Sequence, residues 1–302
     1  MGTYQLQELI GGHSGAENYK ISQDGADFML KIFPIDFNPN KVAAIPAICR
    51  LYASLNIDSL QCYKTGKLNT TNQYFCIYNY IEGKNLEVIG ESEYSPAENY
   101  HLGELVGGWL KALKAATPPP TAKLEVADIA PLTSHTNKLY QTLRADPQTR
   151  SLLSSYFDLD QLDYLLGRFN QASQIFRNQP KHLIHGDIKR SNFMRDQAGT
   201  IYIIDIESMK YGYDILNFRH QMIWLLRPDR LKRMQFLRGV LDGLYHHGRP
   251  EHFNEQVLYI YTLNFIEHLR SVLDKKPHEA PEYLEMIQRG VSLILNPTGN
   301  II

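Results

Sequence analysis

Residues 185–192 read His-Gly-Asp-Ile-Lys-Arg-Ser-Asn, and a later apolar segment, Thr200-Ile201-Tyr202-Ile203-Ile204, leads directly to Asp205. The first segment carries a carboxylate, Asp187, and a carboxamide, Asn192, five positions apart. This segment is too polar to form the core of a strand. The second segment is rich in β-branched residues and therefore favours a strand, here one that ends in a carboxylate.

A β-hairpin is predicted between these two segments. Phe193-Met194-Arg195 forms its first strand, and Gln197-Ala198-Gly199 supplies the turn before the apolar strand. A Gly-Asp pair alone says little, because such pairs are common in turns that merely cap a loop. The loop spacing, the hairpin and the strand-terminal acid are far more specific in combination.

These residue types, in this order, suit phosphoryl transfer. One carboxylate can orient and deprotonate an attacking hydroxyl, while an amide oxygen and a second carboxylate hold magnesium against nucleotide phosphates. The protein-kinase pattern is His-x-Asp-x-x-x-x-Asn followed by an Asp-led metal motif. Here Gly186 fills the middle of the triplet, and Asp205-Ile206-Glu207 stands where Asp-Phe-Gly would stand. This variant resembles the aminoglycoside phosphotransferase and choline kinase branch of the kinase-like superfamily, which phosphorylates small molecules.

The resemblance implies a role for each residue of the motif. Asp187 would be the catalytic base, and His185 would fix the catalytic loop rather than take part in the chemistry. Asn192 and Asp205 would bind Mg²⁺, and ATP (or GTP) would be the phosphate donor. Glu207 is open to two interpretations: an acid that supports the metal site, or a solvated glutamate at a strand end.

The resemblance also implies an α+β, protein-kinase-like two-lobed fold. A small, β-rich N-terminal lobe with the hinge is expected at residues 1–83. A larger, mostly helical lobe with the catalytic and acceptor-binding residues is expected at 84–302. Helical periodicity supports this division and predicts helices over 96–116, 135–143, 160–176, 216–226, 229–245, 253–273 and 281–295.

The N-terminal segment predicts three strands and a glycine-containing loop. Tyr4–Ile10 forms the first strand, and two further strands flank Asp24-Gly25, a two-residue turn of the type I′ kind. The loop after the first strand reads Gly11-Gly12-His13-Ser14-Gly15. It resembles the Gly-Gly-x-Ser-Gly form of small-molecule kinases, in which backbone N–H groups and a serine cover the phosphates. Gly12, Ser14 and Gly15 are therefore candidate nucleotide ligands.

Lys31 lies within Phe28-Met29-Leu30-Lys31-Ile32-Phe33, among apolar neighbours. Burial of an unpaired ammonium is energetically unfavourable, so a lysine at this position should have an anionic partner. Kinases place such a strand lysine against the α and β phosphates. Alternatively, Lys31 could point to solvent, because successive side chains of a strand alternate between its two faces.

The helix after this strand lacks the acid that usually pairs with the lysine. In protein kinases a glutamate on the next helix forms the pair, but the segment from Asn40 to Leu55 contains no acid. Either another carboxylate, such as Asp36, approaches Lys31, or the nucleotide alone holds the lysine. Pro46 should also break or kink this helix, unless it opens a new one.

Two further segments match the resemblance to different degrees. The strand Tyr74–Ile81 resembles the hinge of the family, which makes Asn79 and Ile81 candidates for backbone hydrogen bonds to an adenine edge.

After Asp205, relatives carry a Gly-Asp-Pro-x-x-Asp-Leu stretch that braces the catalytic loop. Here Asn217 stands where the second Asp is expected, and an amide keeps the hydrogen bonds without the charge.

Composition is consistent with an enzyme that acts on a small molecule in the cytoplasm. The 302 residues are 43% hydrophobic, and the net charge of −1 favours neither a nucleic-acid nor a membrane partner. The three cysteines show no paired spacing, which argues for a reducing compartment. No signal peptide or apolar membrane span is visible. The oligomeric state stays open.

Three hypotheses about function follow. The first is an ATP-dependent (or GTP-dependent) phosphotransferase that moves the γ-phosphate to a hydroxyl of a small molecule, such as an aminoglycoside-, choline- or homoserine-like compound. The second is a nucleotide-binding pseudokinase with a scaffold or regulatory role, suggested by the missing helix acid and by Asn217. The third, a protein kinase, is disfavoured because the interval after Asp205 is too short for an activation loop. Acids at positions 158, 160, 163 and 267 and a basic stretch at 227–238 are possible acceptor contacts.

Overall fold

A five-stranded antiparallel sheet forms the first part of the chain. In the computed structural model, which describes residues 4–9, 15–89, 94–219, 231–246, 248–275 and 277–295, the strand order is β1-β2-β3-β5-β4. The strands are β1 (Tyr4–Glu8), β2 (Glu17–Gln23), β3 (Ala26–Ile32), β4 (Cys62–Lys67) and β5 (Tyr74–Asn79). Asp24 and Gly25 both have positive φ, +52° and +81°, as the central residues of a type I′ turn require.

Helix α1 (Pro39–Ser54) packs against β4 and β5. The side chain of Asn38 accepts a hydrogen bond from the Asn40 N–H at 3.0 Å, and Pro39 occupies the first turn, where its missing N–H costs nothing. The break considered at Pro46 does not occur, since one helix runs from Pro39 to Ser54 through this proline. Apolar burial against the sheet outweighs the hydrogen bond that the proline removes.

A second, three-stranded sheet contains the predicted hairpin. Its order is β10-β9-β6, from β6 (Gly83–Asn85), β9 (Phe193–Asp196) and β10 (Ile201–Ile203), and the short helix α2 (Leu86–Ile89) follows β6. Gly199 closes the hairpin turn with φ +90°, a conformation that costs glycine little. Two short strands, β7 (Glu125–Val126) and β11 (Lys210–Gly212), pair in parallel.

The remaining described chain is mostly helical. Helix α8 (Phe253–Lys275) is buried along most of its length. It contacts α4 (Ile129–Ala145), α6 (Leu159–Ile175) and α9 (Ala280–Leu295). None of the helices in the described ranges is long and apolar enough to cross a membrane. Further helices are α3 (Pro96–Ala115), α5 (Pro147–Tyr156) and α7 (Leu231–Tyr245), and the short strand β8 (His182–Ile184) precedes the loop that carries Asp187.

Most of the predicted helices correspond to observed ones. Helix α5 was not predicted, although Asp146 caps it by accepting a hydrogen bond from the Thr149 N–H at 2.8 Å and Pro147 begins it. Of the predicted helix at 216–226, residues 214–218 form a 3₁₀ turn. Residues 220–230 lie outside the described residues.

Contacts divide the chain into two compact units. The first comprises 1–90, 115–126 and 190–211, and the second comprises 91–114, 127–189 and 212–302. Each unit is therefore assembled from separate stretches of chain. The predicted lobe boundary at residue 83 stays a prediction.

Glycines allow α3 and α7 to approach within backbone contact. A Cβ at Gly103 would collide with the carbonyl oxygen of Phe236, and one at Gly107 with that of Val240. Gly239 and Gly243 on α7 face α3 in the same way, since a Cβ there would meet backbone oxygens of that helix. Glycine destabilises a helix interior, so its use at these positions reflects the close crossing.

We expect Gly107→Ala to destabilise the protein by about 1–3 kcal/mol, because the added methyl group has no space between the two backbones. Gly108 is the matched control, since a Cβ there meets nothing within 4 Å. Gly108→Ala should be neutral or should stabilise by up to about 1 kcal/mol. Denaturant unfolding measures both, and equal effects at the two positions would contradict the close-packed crossing.

Candidate active site

Lys31 of β3 is buried and forms ion pairs with two carboxylates of one short segment. Its Nζ lies 2.9 Å from Asp205 Oδ1 and also contacts Glu207 Oε1. The expectation that another carboxylate approaches Lys31 is therefore confirmed, but the carboxylates are those of Asp205 and Glu207 and not that of Asp36. The alternative that the nucleotide alone holds this lysine is wrong. Glu207 is buried against Lys31, so its interpretation as a solvated strand-end residue is wrong as well.

The ion pairs determine the charge state of the cluster. Burial lowers the pKa of Lys31, but the charges of Glu207 and then Asp205 outweigh burial, and the net shift is upward. Burial raises the pKa of the Glu207 carboxyl, and the neighbouring Lys31 charge opposes that rise. Lys31 therefore stays a cation, able to meet phosphate oxygens, throughout the physiological pH range.

Asp205 has a left-handed backbone, with φ +59° and ψ +39°. Such a conformation costs a non-glycine residue on the order of 1 kcal/mol, although Asp tolerates it better than most. Ile203 and Ile206 on either side are fully buried. The turn ends the apolar strand and allows Asp205 and Glu207 both to reach Lys31.

The hairpin brings Asn192 beside the strand that leads to Asp205. The Ile204 N–H donates to the Asn192 carbonyl oxygen at 2.8 Å. Asn192 is itself buried, and it ends a 3₁₀ turn that begins at Arg190. The Arg190 guanidinium donates to the Leu86 carbonyl oxygen at 3.2 Å, and the Asn85 carboxamide donates to the Ser191 carbonyl oxygen. These bonds fix the backbone that carries Asn192.

The donor groups of this cluster fit a magnesium ion. Asn192 and Asp205 offer an amide oxygen and a carboxylate, which are ligands that hard cations prefer. Glu207 Oε2 is buried and has no hydrogen-bond partner among the described residues, which leaves an anionic oxygen available nearby. The described residues contain no preassembled group of three or more His, Cys, Asp or Glu that could hold a metal alone. Mg²⁺ commonly keeps waters and substrate phosphates as its remaining ligands.

Asn217 braces the loop that carries Asp187. Its side-chain oxygen accepts a hydrogen bond from the Gly186 N–H at 3.0 Å, and its carbonyl oxygen accepts one from the Ile188 N–H at 3.1 Å. Gly186 has φ +83°, a conformation that favours glycine at the middle of the triplet. The bracing expected from a second Asp is thus provided by an amide through hydrogen bonds.

Within this loop, Asp187 has a charged neighbour and a buried imidazole beside it. Asp187 Oδ2 lies 2.7 Å from Lys189 Nζ. The Asp187 N–H donates to Nδ1 of His185 at 3.3 Å, and His185 is fully buried. This arrangement fits the predicted role of His185 in fixing the loop.

The predicted nucleotide-contact residues are described only in part. Gly12 and Ser14 lie outside the described residues, whereas Gly15 is exposed and has φ +70°. Asn79 ends β5, and both its N–H and its side-chain oxygen bond to the backbone of Gln61. Ile81 is buried two residues further on. The hinge role of Asn79 and Ile81 stays a prediction.

Three of the four acids considered as acceptor contacts have structural partners, and the fourth, Asp160, is exposed. Asp158 caps α6 by accepting a hydrogen bond from the Asp160 N–H. Asp163 accepts a hydrogen bond from the Tyr140 hydroxyl at 2.7 Å and pairs with Arg144 at 2.7 Å. Glu267 pairs with Arg219 at 2.5 Å. Most of the basic stretch at 227–238 lies outside the described residues or has undescribed side chains.

The phosphotransferase enzyme family matches residues 7–241 in sequence, which is most of the chain, so the protein belongs to that family. The predicted family and enzyme class, a small-molecule phosphotransferase, are thereby confirmed. No curated protein matches the chain in sequence.

Solved structures share the fold along nearly the whole chain. The GDP complex of aminoglycoside 2′-phosphotransferase-IIIa is 18% identical, with a TM-score of 0.64, over 95% of this chain and 92% of that chain. Spectinomycin phosphotransferase bound to ADP and spectinomycin is 14% identical, with a TM-score of 0.64, over 97% and 92%. A putative aminoglycoside phosphotransferase from Ralstonia eutropha is 14% identical, with a TM-score of 0.67, over 97% and 93%. These similarities confirm the predicted α+β, protein-kinase-like fold.

We expect Asn217→Ala to destabilise the protein by about 1–3 kcal/mol, because the buried Gly186 N–H loses its acceptor. Asn217→Asp keeps an acceptor oxygen at the same position and should be the milder change. Denaturant unfolding gives the two free energies. Wild-type stability of Asn217→Ala would show that this hydrogen bond does not hold the loop.

Proposed function

We propose that the protein transfers the γ-phosphate of ATP (or GTP) to a hydroxyl group of a small molecule. The observation that carries the proposal is the pairing of buried Lys31 with Asp205, whose strand is hydrogen-bonded to Asn192. This cluster presents a fixed cation, a carboxylate and a carboxamide together, which is the set that nucleotide phosphates and their cation require. The GDP and ADP bound to the neighbouring enzymes support a nucleotide donor here.

In this mechanism Asp187 receives the proton of the acceptor hydroxyl. As the acceptor oxygen attacks the γ-phosphorus, its O–H bond breaks and the proton passes to the Asp187 carboxylate. The bond between the γ-phosphorus and the β-γ bridging oxygen breaks, and the nucleoside diphosphate leaves. Asn217 and the buried His185 keep the Asp187 backbone fixed during this step, so no reorganisation is needed.

Lys31, Asn192 and Asp205 bind the phosphates of the nucleotide that donates the γ-phosphate. The Lys31 ammonium binds the α and β phosphates, and Glu207 remains its counter-charge. Asn192 and Asp205 would hold Mg²⁺, which would neutralise phosphate charge. Lys189, 2.7 Å from Asp187, contributes a second cation beside the base.

The pseudokinase alternative rested on two departures from the family pattern. Asp205 and Glu207 pair with Lys31, so the lack of an acid on α1 leaves no unpaired lysine. Asn217 bonds on both sides of Asp187, so the lack of the second Asp leaves no unbraced loop. Both departures are therefore compatible with an active enzyme.

A screen of hydroxyl compounds tests the proposal. Aminoglycosides, choline, homoserine, macrolides and simple sugars would be incubated with the protein, Mg²⁺ and γ-labelled ATP or GTP. Transfer of label to one class identifies the acceptor. Failure of the protein to bind either nucleotide in the presence of Mg²⁺ would overturn the proposal.

We expect Asp187→Asn to lower kcat by about 10²- to 10⁴-fold, because a positioned base contributes to the chemical step. Nucleotide affinity should stay near the wild-type value, since the base contributes little to ground-state binding. Steady-state kinetics and calorimetry measure the two quantities. Asp24→Asn, at an exposed acid in the turn between β2 and β3, is the control and should leave both unchanged. A kcat within tenfold of wild type for Asp187→Asn would contradict the assignment.

Asp205→Asn should weaken Mg²⁺-dependent nucleotide binding by about 10- to 100-fold, because a charged oxygen ligand becomes neutral. The amide can still accept the hydrogen bond from Lys31, so binding without Mg²⁺ should change much less. Calorimetric titrations with and without Mg²⁺ separate the two contributions. Identical Mg²⁺-dependent affinities in the two proteins would exclude Asp205 as a metal ligand.

A further inference from the structure

We propose that Glu207 is the positioning residue for Lys31 and takes the place of the acid that kinases carry on the helix after this strand. The inference rests on the proposed function, because it assigns to Glu207 the task of presenting Lys31 to nucleotide phosphates. Glu207 acts through Lys31 and does not itself touch the reacting atoms.

The first observation is the composition of helix α1. It contains no Asp or Glu between Pro39 and Ser54. The same helix nevertheless packs against the 3₁₀ turn Ile206–Ser208, which carries Glu207. The Glu207 carboxylate thus lies beside α1 although it belongs to another segment.

The second observation is the difference between the two partners of Lys31. Asp205 is partly exposed, with 25% of its side chain accessible, whereas Glu207 has only 8%. The proposed function assigns Asp205 to a metal ion, so it cannot serve Lys31 alone. Glu207 is the buried partner that stays with Lys31, and a buried ammonium requires such a partner.

This arrangement changes how the site could be controlled. Where the acid lies on a mobile helix, displacement of that helix breaks the pair and switches the enzyme off. Here the acid lies two residues from Asp205, on a segment tied to Asn192 through the Ile204 hydrogen bond. Lys31, its counter-charge Glu207 and the proposed metal ligand Asp205 form one cluster, and α1 contributes packing but no carboxylate.

A double-mutant cycle on nucleotide affinity tests the proposal. Glu207→Gln keeps the shape of the side chain and removes its charge, and we expect it to weaken ATP binding by about 10- to 100-fold. In a Lys31→Met background the same Glu207→Gln change should have little further effect, because Glu207 would act only through the lysine. Calorimetry without Mg²⁺ should show the same pattern, which separates this role from an effect on the metal.

Controls distinguish positioning from general stability. Asp36→Asn removes the exposed acid that the sequence offered as a partner and should leave affinity unchanged. A denaturation curve for each variant confirms that it is folded.

Two results would overturn the proposal. One is wild-type ATP affinity in folded Glu207→Gln protein. The other is an equal loss in the Lys31 and Lys31→Met backgrounds, which would indicate an effect that does not pass through Lys31. Failure of the wild-type protein itself to bind ATP or GTP would instead contradict the proposed function, so the two failures are distinguishable.

Discussion

The cluster of Lys31, Asp205 and Glu207 depends on one electrostatic constraint, the burial of the Lys31 ammonium. An ammonium removed from water needs nearby anions, since without them it would lose its proton or prevent the fold from forming. Asp205 and Glu207 meet this need from a single turn. To do so, the turn must leave its strand sharply, and the left-handed backbone at Asp205 is the local cost of that geometry.

Local patterns in the sequence were sufficient to predict the parts of the fold that depend on local interactions. The Asp24-Gly25 turn needs positive φ at two successive residues, and this pair is among the few that accept it. The β9–β10 hairpin and most of the helices after residue 95, although not α5, follow from periodicity and turn residues in the same way. The partner of Lys31 could not be found like this, because Glu207 is 176 positions away along the chain. Only the observation that α1 lacks acids indicated that a carboxylate had to come from elsewhere.

Asn217 shows a different limit of reasoning from motifs. A missing Asp suggests a missing function when the motif is treated as a set of charges. In the structure the requirement at this position is an acceptor for the Gly186 N–H, and the carboxamide oxygen meets it at 3.0 Å. The loop backbone therefore constrains hydrogen-bond geometry more strongly than charge, and Asn and Asp are closer substitutes here than their charges suggest. Pro46 is a similar case, since burial of α1 tolerates a residue that propensity alone would exclude.

The two departures from the family pattern have the same physical form. In each, the acceptor expected from the family pattern is replaced by an acceptor from a different residue. A carboxylate of the 3₁₀ turn pairs with the Lys31 ammonium. The amide oxygen of Asn217 accepts the hydrogen bond from the Gly186 N–H. In both cases the buried donor keeps an acceptor. A buried N–H or ammonium without one destabilises the folded state by about 1–3 kcal/mol or more. The identity of the residue that satisfies a buried donor can change freely, provided that its acceptor atom arrives at the same place.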